Sequence, residues 1–334
     1  MIRKVGDRED TLIGKVVVIT GASSGAGRCI ALQLAERKAH LVLAARNLAV
    51  LEELALLCRD FGAEVLVIET DVTDYNAMQS LALKAFEWKQ CIDVWINNAG
   101  VLAAGSFEEM PWESHEKVVH TNLLGYMSAA HVVLPYFKKQ KAGMLINNIS
   151  VGGFIPVPFA GAYTAAKFAL RGFFESLKGE LAGWHDIHIV DLFAAFLDTP
   201  GIQHAANYTG KVLKPAPPVS HPRVIARAVE AAIRHPRIPA RYPGTGALLF
   251  KVAYSVMPHL LTRFTAAIMK TYFANAPPAV NTNGNLFDTV HFSMAVNAGA
   301  DATRQKPKQW VRSGLLYTGI ALSLYLLLGK RKLA

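Results

Sequence analysis

Residues 15–34 constrain this chain most. Lys15-Val16-Val17-Val18-Ile19-Thr20 is apolar enough for a strand buried on both faces, and it runs into Gly21-Ala22-Ser23-Ser24-Gly25-Ala26-Gly27. A helix with Ile30 and Leu34 on one face follows. Strand, glycine turn and helix together form the context in which unpaired N–H groups at a helix N-terminus receive a pyrophosphate. Any tight turn between strand and helix also uses glycine, but the order of elements favours a nucleotide cradle. Gly21, Ser23, Ser24, Gly25, Ala26 and Gly27 are therefore candidate cofactor contacts. The spacing is Thr-Gly-x-x-x-Gly-x-Gly, distinct from the Gly-x-Gly-x-x-Gly of other dinucleotide folds.

The apolar runs that follow recur at intervals that leave room for helices. Strands are expected at 41–45, 65–68, 93–96, 144–149 and 187–192, with a short seventh near 237–242. Helices are expected at 74–88, at 111–137 with a break at 123–125, and at 162–181. This alternation predicts an α/β fold: a doubly wound, Rossmann-type parallel sheet of about seven strands, covered on both faces. The second strand ends in Ala44-Ala45-Arg46-Asn47, where a site for NAD usually places a carboxylate on the ribose 2′-hydroxyl. Arg46 instead offers a guanidinium fork suited to a 2′-phosphate, which favours NADP(H). Asp71 and Val72, after the third strand, are positioned to meet an adenine ring.

The chemistry is concentrated in residues 150–167. Ser150 ends a strand, and Tyr163 and Lys167 stand four apart on the next helix, so both project from one face. A phenol titrates near ~10. A neighbouring ammonium favours the phenolate and brings it towards working pH, where proton transfer is most efficient. The Ser150 hydroxyl can hold a substrate oxygen while Tyr163 gives or takes its proton. Tyr-x-x-x-Lys alone is as compatible with an ordinary amphipathic helix, and the rest of the chain decides between the two.

Over about residues 12–245 the chain resembles the short-chain dehydrogenase/reductase superfamily. The residues carrying the resemblance are Thr20 with the glycine turn, Asp71-Val72, Asn97-Asn98-Ala99-Gly100, Asn122, Ser150, and Tyr163 with Lys167. Ser150 precedes Tyr163 by thirteen positions, as the family pattern requires. The resemblance implies a catalytic set of Asn122, Ser150, Tyr163 and Lys167. Tyr163 would be the acid/base and Ser150 the carbonyl-orienting group. Lys167 would lower the tyrosine pKa and bind the nicotinamide ribose, and Asn122 would hold a relay water. Asn98, Ala99 and Gly100 would support the central strands and touch the cofactor, and Thr199 would meet the nicotinamide amide. Two departures stand out: Ala26 where the family usually has Ile, and Ala194-Ala195 where it usually has Pro-Gly.

Beyond that core, residues 202–220 form a Pro-containing insert where the family places its substrate lid. Phe154, Ile155, Val157, Phe159, Phe193 and Phe196 are expected either around an apolar substrate pocket or in the core. Residues 246–275 read as amphipathic helices interrupted at Pro258, resting on a membrane, closing over substrate or packing on a second subunit. Residues 276–309 read as a linker and 310–334 as a membrane anchor. The run 313–329 is seventeen residues without charge. It would span about 26 Å as a helix, slightly less than a ~30 Å hydrocarbon core. Trp310, Arg312 and Lys330-Arg331-Lys332 flank it as interfacial anchors. The other reading of that run is a C-terminal helix buried in a dimer.

Net charge is +10, mean hydropathy is +0.24, and residues 301–334 hold seven basic residues against one acidic. A basic end beside an apolar run points to an anionic membrane surface, and no motif points to nucleic acid. Three scattered cysteines and a charged N-terminus without an apolar core place the catalytic domain on the cytoplasmic side. No metal-binding spacing is present. The expected protein is an NADP(H)-dependent oxidoreductase interconverting an apolar carbonyl and a secondary alcohol, membrane-associated through its C-terminal extension and homo-oligomeric. Two other readings remain: a membrane-tethered nucleotide sensor or scaffold with little turnover, and an epimerase or dehydratase on the same fold.

Overall fold

A computed structural model describes residues 12–215, 218–290 and 294–297. In chain order the first half comprises β1 (Val16–Thr20), α1 (Gly25–Glu36), β2 (His40–Ala45), α2 (Leu48–Asp60), β3 (Val65–Glu69), α3 (Tyr75–Lys89), β4 (Val94–Asn97), β5 (Ala103–Ala104), α4 (Trp112–Val119) and α5 (Gly125–Gln140). The second half comprises β6 (Gly143–Asn148), α6 (Gly161–Glu180), β7 (Ile187–Leu192), β8 (Ala206–Asn207), α7 (Arg223–Arg234), β9 (Ala240–Arg241), α8 (Ala247–Val256) and α9 (Pro258–Asn275).

Seven strands form one parallel sheet in the order β3-β2-β1-β4-β6-β7-β9. The chain starts at β1, winds outward to β3, then returns to β4 on the other side of β1. That reversal opens a crevice at the carboxyl ends of β1 and β4, where open α/β sheets bind ligands. Every residue of β1 is buried, because one sheet face packs on α1 and α7 and the other on α3, α5 and α6. The unbroken Val-Val-Val-Ile run is the sequence signature of a strand with no solvent side.

The apolar runs predicted as strands match the sheet closely, and local chemistry fixes their boundaries. Asn47 caps α2 by accepting the Val50 N–H at 3.2 Å, and Asp74 caps α3 by accepting from Asn76 and Ala77; such caps contribute about 1 kcal/mol each. The helix expected over 111–137 is α4 and α5 joined by a π-helical turn, His120–Leu124. Single π turns occur frequently at functional sites, and this one carries Asn122.

Polar residues in buried strands are explained by register. Asn97 faces Asn147, and Asn147 faces Asp191, across three neighbouring strands. Asn97 donates to Asn147 at 3.0 Å, Asn147 donates to Asp191 at 2.9 Å, and Lys178 on α6 closes the chain at 2.7 Å. Each residue of this relay has a partner, which removes the ~1–3 kcal/mol cost of leaving one unsatisfied.

Among the described residues no helix is long and apolar enough to cross a membrane. Residues 313–329, expected as an anchor, lie outside the described residues.

Candidate active site

The phosphate turn is shaped by contacts that exclude side chains. Gly21 has φ +64°, and a Cβ there would stand 2.7 Å from Ala99 Cα. A Cβ on Gly27 would run into the Gly21 carbonyl and the Asn98 amide. Only glycine lets the turn lie this close to Asn98-Ala99-Gly100, so the cradle fits a pyrophosphate at the α1 N-terminus. The Asn98 amide donates to the carbonyls of Thr20 and Gly21 at 3.2 and 3.1 Å and accepts from Asn148 at 3.0 Å. Thr20, at the end of β1, also belongs to the site. Its hydroxyl oxygen accepts the N–H groups of Asn98 and Ala99 and ties the two loops together. Ser24 precedes α1 without capping it through its side chain, and Ala26 packs against the core. Thr199 lies over Gly25, its Cβ 3.2 Å from where a Gly25 Cβ would project.

Asp71 is held below the usual carboxylate range. Burial alone would raise it, but the N–H and hydroxyl of Thr73, with Lys117 and Arg46 nearby, outweigh that effect. Val72 packs where a side chain on Gly125 would go, at the start of α5.

Three of the expected catalytic residues converge. Ser150 follows β6 with φ +89°, a conformation that costs a non-glycine residue about 1–3 kcal/mol and is concentrated at functional sites. Its hydroxyl accepts the Gly152 N–H at 3.2 Å and lies beside the Tyr163 ring across Gly152. Gly152 leaves room for the Tyr163 ring, which a Cβ would approach to 3.0 Å. Lys167 is 4 % exposed. Its ammonium lies 4.9 Å from the Tyr126 ring centroid and 5.7 Å from that of Tyr163, and donates to the Asn148 carbonyl at 3.3 Å. The Tyr126 hydroxyl donates to the same carbonyl at 3.0 Å. As a backbone group, that carbonyl left no side-chain signal in the sequence.

Burial raises the Tyr163 phenol above its ordinary value, and the nearby Ser150 hydroxyl only partly opposes it. Burial also pulls Lys167 down to about 7. An ammonium that is itself desolvated, and stands beside the ring with its hydrogen bond going elsewhere, favours the phenolate little. Asn122, 0 % exposed, has both side-chain atoms committed to the Val101 main chain at 2.8 Å. It pins the segment after β4 beneath the site.

Arg46 stands at the end of β2 as expected, but its guanidinium is already engaged. It donates to the Asn285 carbonyl at 2.6 Å and to those of Leu286 and Phe287 at 3.3 and 3.2 Å. The segment expected as a linker is, over 276–290, a strap across the mouth of the site. Thr282 and Asn207 exchange backbone hydrogen bonds at 2.8 and 2.9 Å, Asn285 N–H donates to His204 at 2.8 Å, and Ala279 N–H to Gly210 at 2.9 Å. Leu286 is 0 % exposed, in a cluster of Val101, Ala103, Met110, Val118 and Ala206 against which Tyr163 packs. Further along, the Ala295 carbonyl accepts the Gly25 N–H at 2.9 Å.

The aromatic group around the site divides. Phe154, Ile155 and Phe193 belong to the core, with Phe154 and Phe193 rings 4.4 Å apart. Phe196 meets Phe250 of α8, and Phe159 meets Phe273 of α9. Val157 and Phe159 line a cleft of about 330 Å³ with Phe107 and Pro158. The Ala194-Ala195 pair continues the ladder past β7: Ala194 accepts the Val151 N–H, and Ala195 N–H donates to Pro243.

Fold and site together define a nucleotide-dependent oxidoreductase of the α/β class. The family model described as short chain dehydrogenase matches residues 15–208, and the chain belongs to that family. It is therefore a dehydrogenase or reductase of the kind that works with a nicotinamide cofactor. The uncharacterized oxidoreductase YxnA of Bacillus subtilis is 29% identical over 311 residues, 91% of this chain and 84% of that protein. The fatty acyl-CoA reductase of Acinetobacter baylyi is 30% identical over 74% of this chain and 81% of its own. The rat estradiol 17-beta-dehydrogenase 11 is 30% identical over 66% and 74%. Among solved structures, the alcohol dehydrogenase of the archaeon Thermococcus sibiricus, complexed with 5-hydroxy-NADP, superimposes with a TM-score of 0.60 at 28% identity. That match covers 68% of this chain and 95% of the archaeal one.

Proposed function

We propose that the protein is an NADP(H)-dependent oxidoreductase that interconverts an apolar ketone or aldehyde and the corresponding alcohol, with Tyr163 as acid/base. The observation that carries this reading is the approach of the Ser150 hydroxyl and the Tyr163 ring to one another beside Gly152, with buried Lys167 next to the tyrosine. When bound, the nicotinamide supplies or takes the hydride. The Ser150 hydroxyl holds the substrate oxygen, and Tyr163, kept protonated at neutral pH by its raised pKa, delivers the proton that the oxygen needs on reduction. Lys167, close to half-charged near neutrality, is suited to exchange a proton with the phenol after turnover. The lack of a carboxylate at the end of β2 supports the phosphorylated cofactor. The relatives named for fatty acyl-CoA and estradiol support an apolar substrate. The test is turnover of a panel of alkyl and aryl ketones and aldehydes with NADPH and with NADH. Turnover faster with NADPH is expected, and its absence on every carbonyl would favour a sensor or scaffold.

The proposal extends to location. Leu248, Val252, Val256, Leu260, Phe264 and Ile268 recur every four residues along α8 and α9, each between 38% and 67% exposed. No Asp or Glu occurs in residues 231–287, while Lys251, Arg263 and Lys270 stand among the apolar residues. An apolar face in a basic, acid-free surround is suited to lie in an anionic bilayer surface. The charge-free run 313–329 would hold the chain there, with the catalytic domain facing the cytoplasm.

A further inference from the structure

The strap over 276–290 contributes nothing to the sheet, yet it is fastened at several points to the parts of the molecule that carry the chemistry. At one end it pairs with the lid segment through Thr282–Asn207 and Asn285–His204. Gly284, at φ +53°, lies so close to the His204 carbonyl that a Cβ would collide with it. The close approach sets Leu286 into the cluster that supports Tyr163. Directly beside it, three consecutive carbonyls converge on one guanidinium, that of Arg46. Strap, lid and the end of β2 are thereby joined around the same opening.

We propose that residues 276–290 are a wall of the reaction site, in which Leu286 sets the bulk of substrate accepted beside Tyr163 and Arg46 fastens that wall through the carbonyls of Asn285, Leu286 and Phe287. This rests on the assignment of Tyr163 as acid/base. Leu286 projects from the strap into an apolar cluster built from β5, β8 and α4, and Tyr163 packs against that same cluster. Arg46 is a positioning residue for the wall. A guanidinium suits the task because its planar fork reaches several acceptors at once, which a point-charge ammonium does not.

The experiment uses the full-length protein at saturating NADPH, with 2-butanone and 2-decanone as probes. Leu286→Ala should raise the ratio of kcat/KM for 2-decanone over 2-butanone at least fivefold, and Leu286→Phe should lower it. Equal changes for both ketones in both variants would overturn the wall. Arg46→Gln should move the ratio in the same direction as Leu286→Ala, and Arg46→Lys should recover part of it. Hydrogen exchange without cofactor gives an independent readout. The amides of Thr282 and Asn285 should exchange at least tenfold faster in Arg46→Gln, and unchanged exchange would overturn the clasp. If the wild type reduces neither ketone, the proposed reaction fails, and the wall is then read from displacement of bound anilinonaphthalene sulfonate. A shift of relative affinity towards 2-decanone in Leu286→Ala supports it, and parallel shifts overturn it.

Discussion

Ser150, Tyr163 and Lys167 show how burial and charge compete at single residues. Tyr163 is raised by burial, and Tyr163→Phe removes the transferable proton while leaving the ring in place. The expected fall in kcat is about a hundredfold or more, the usual scale of general acid–base catalysis, with NADPH affinity measured by fluorescence titration little changed. Near wild-type turnover would remove the tyrosine from the mechanism. Lys167 carries a prediction for stability. Its folded pKa is about 7 against 10.5 for an ordinary lysine, so between those values the unfolded chain holds a proton that the folded chain has released. Stability therefore rises with pH through that window, and below it the full cost of burying the charge is present. Above pH 9 the thiols of Cys29 and Cys58, pushed up to about 11 and about 12 by burial, act in the opposite sense. Between about pH 7 and 8.5 the melting temperature of the wild type should climb more steeply than that of Lys167→Met. Identical slopes would place the lysine in a more solvated setting than the fold gives it.

At the scale of elements, α8 and α9 pose the question of what covers an exposed apolar face. Val252, Val256 and Leu260 are all more than half exposed, and α9 has no buried residue along its eighteen positions. Contact with acyl chains should be detectable in the full-length protein. A Leu249→Trp probe, at a position 69% exposed, should be quenched by bilayers whose lipids carry bromine on the acyl chain, beyond any quenching of the wild type. No added quenching, together with a dimeric mass that falls when Leu260 and Phe264 are changed to Ser, would assign the face to a second copy of the chain.

For the whole molecule, the division of labour between catalytic domain and tail can be tested by removal. Among the described residues, the sheet, lid, strap and α8–α9 are held by contacts that lie within residues 12–297. Deleting residues 310–334 should move the protein from the membrane fraction to the soluble one, with reduction of a short, water-soluble ketone retained. A full-length chain that is soluble without detergent would end the anchor reading. In that case the same deletion should lower the melting temperature, as expected for a helix buried at a subunit interface.

The strands of the sheet were legible in the sequence because a strand buried on both faces is largely apolar, as residues 16–19 and 41–45 are throughout. The phosphate turn was legible because only glycine tolerates its close approaches, and the pairing of Tyr163 with Lys167 because a helix places residues four apart on one face. Tertiary structure alone decided the rest. Whether Lys167 acidifies Tyr163 depends on how much water reaches both groups, and no spacing encodes desolvation. Arg46 read as a phosphate fork, and only the fold brings three carbonyls from 240 residues away to its guanidinium. Residues 276–290 have the Pro, Asn and Gly content of a linker because they are irregular, and irregular backbone has no periodicity to announce that it is packed. Leu286, one apolar residue between Asn285 and Phe287, became part of the site only because the lid offered its strand edge to the strap.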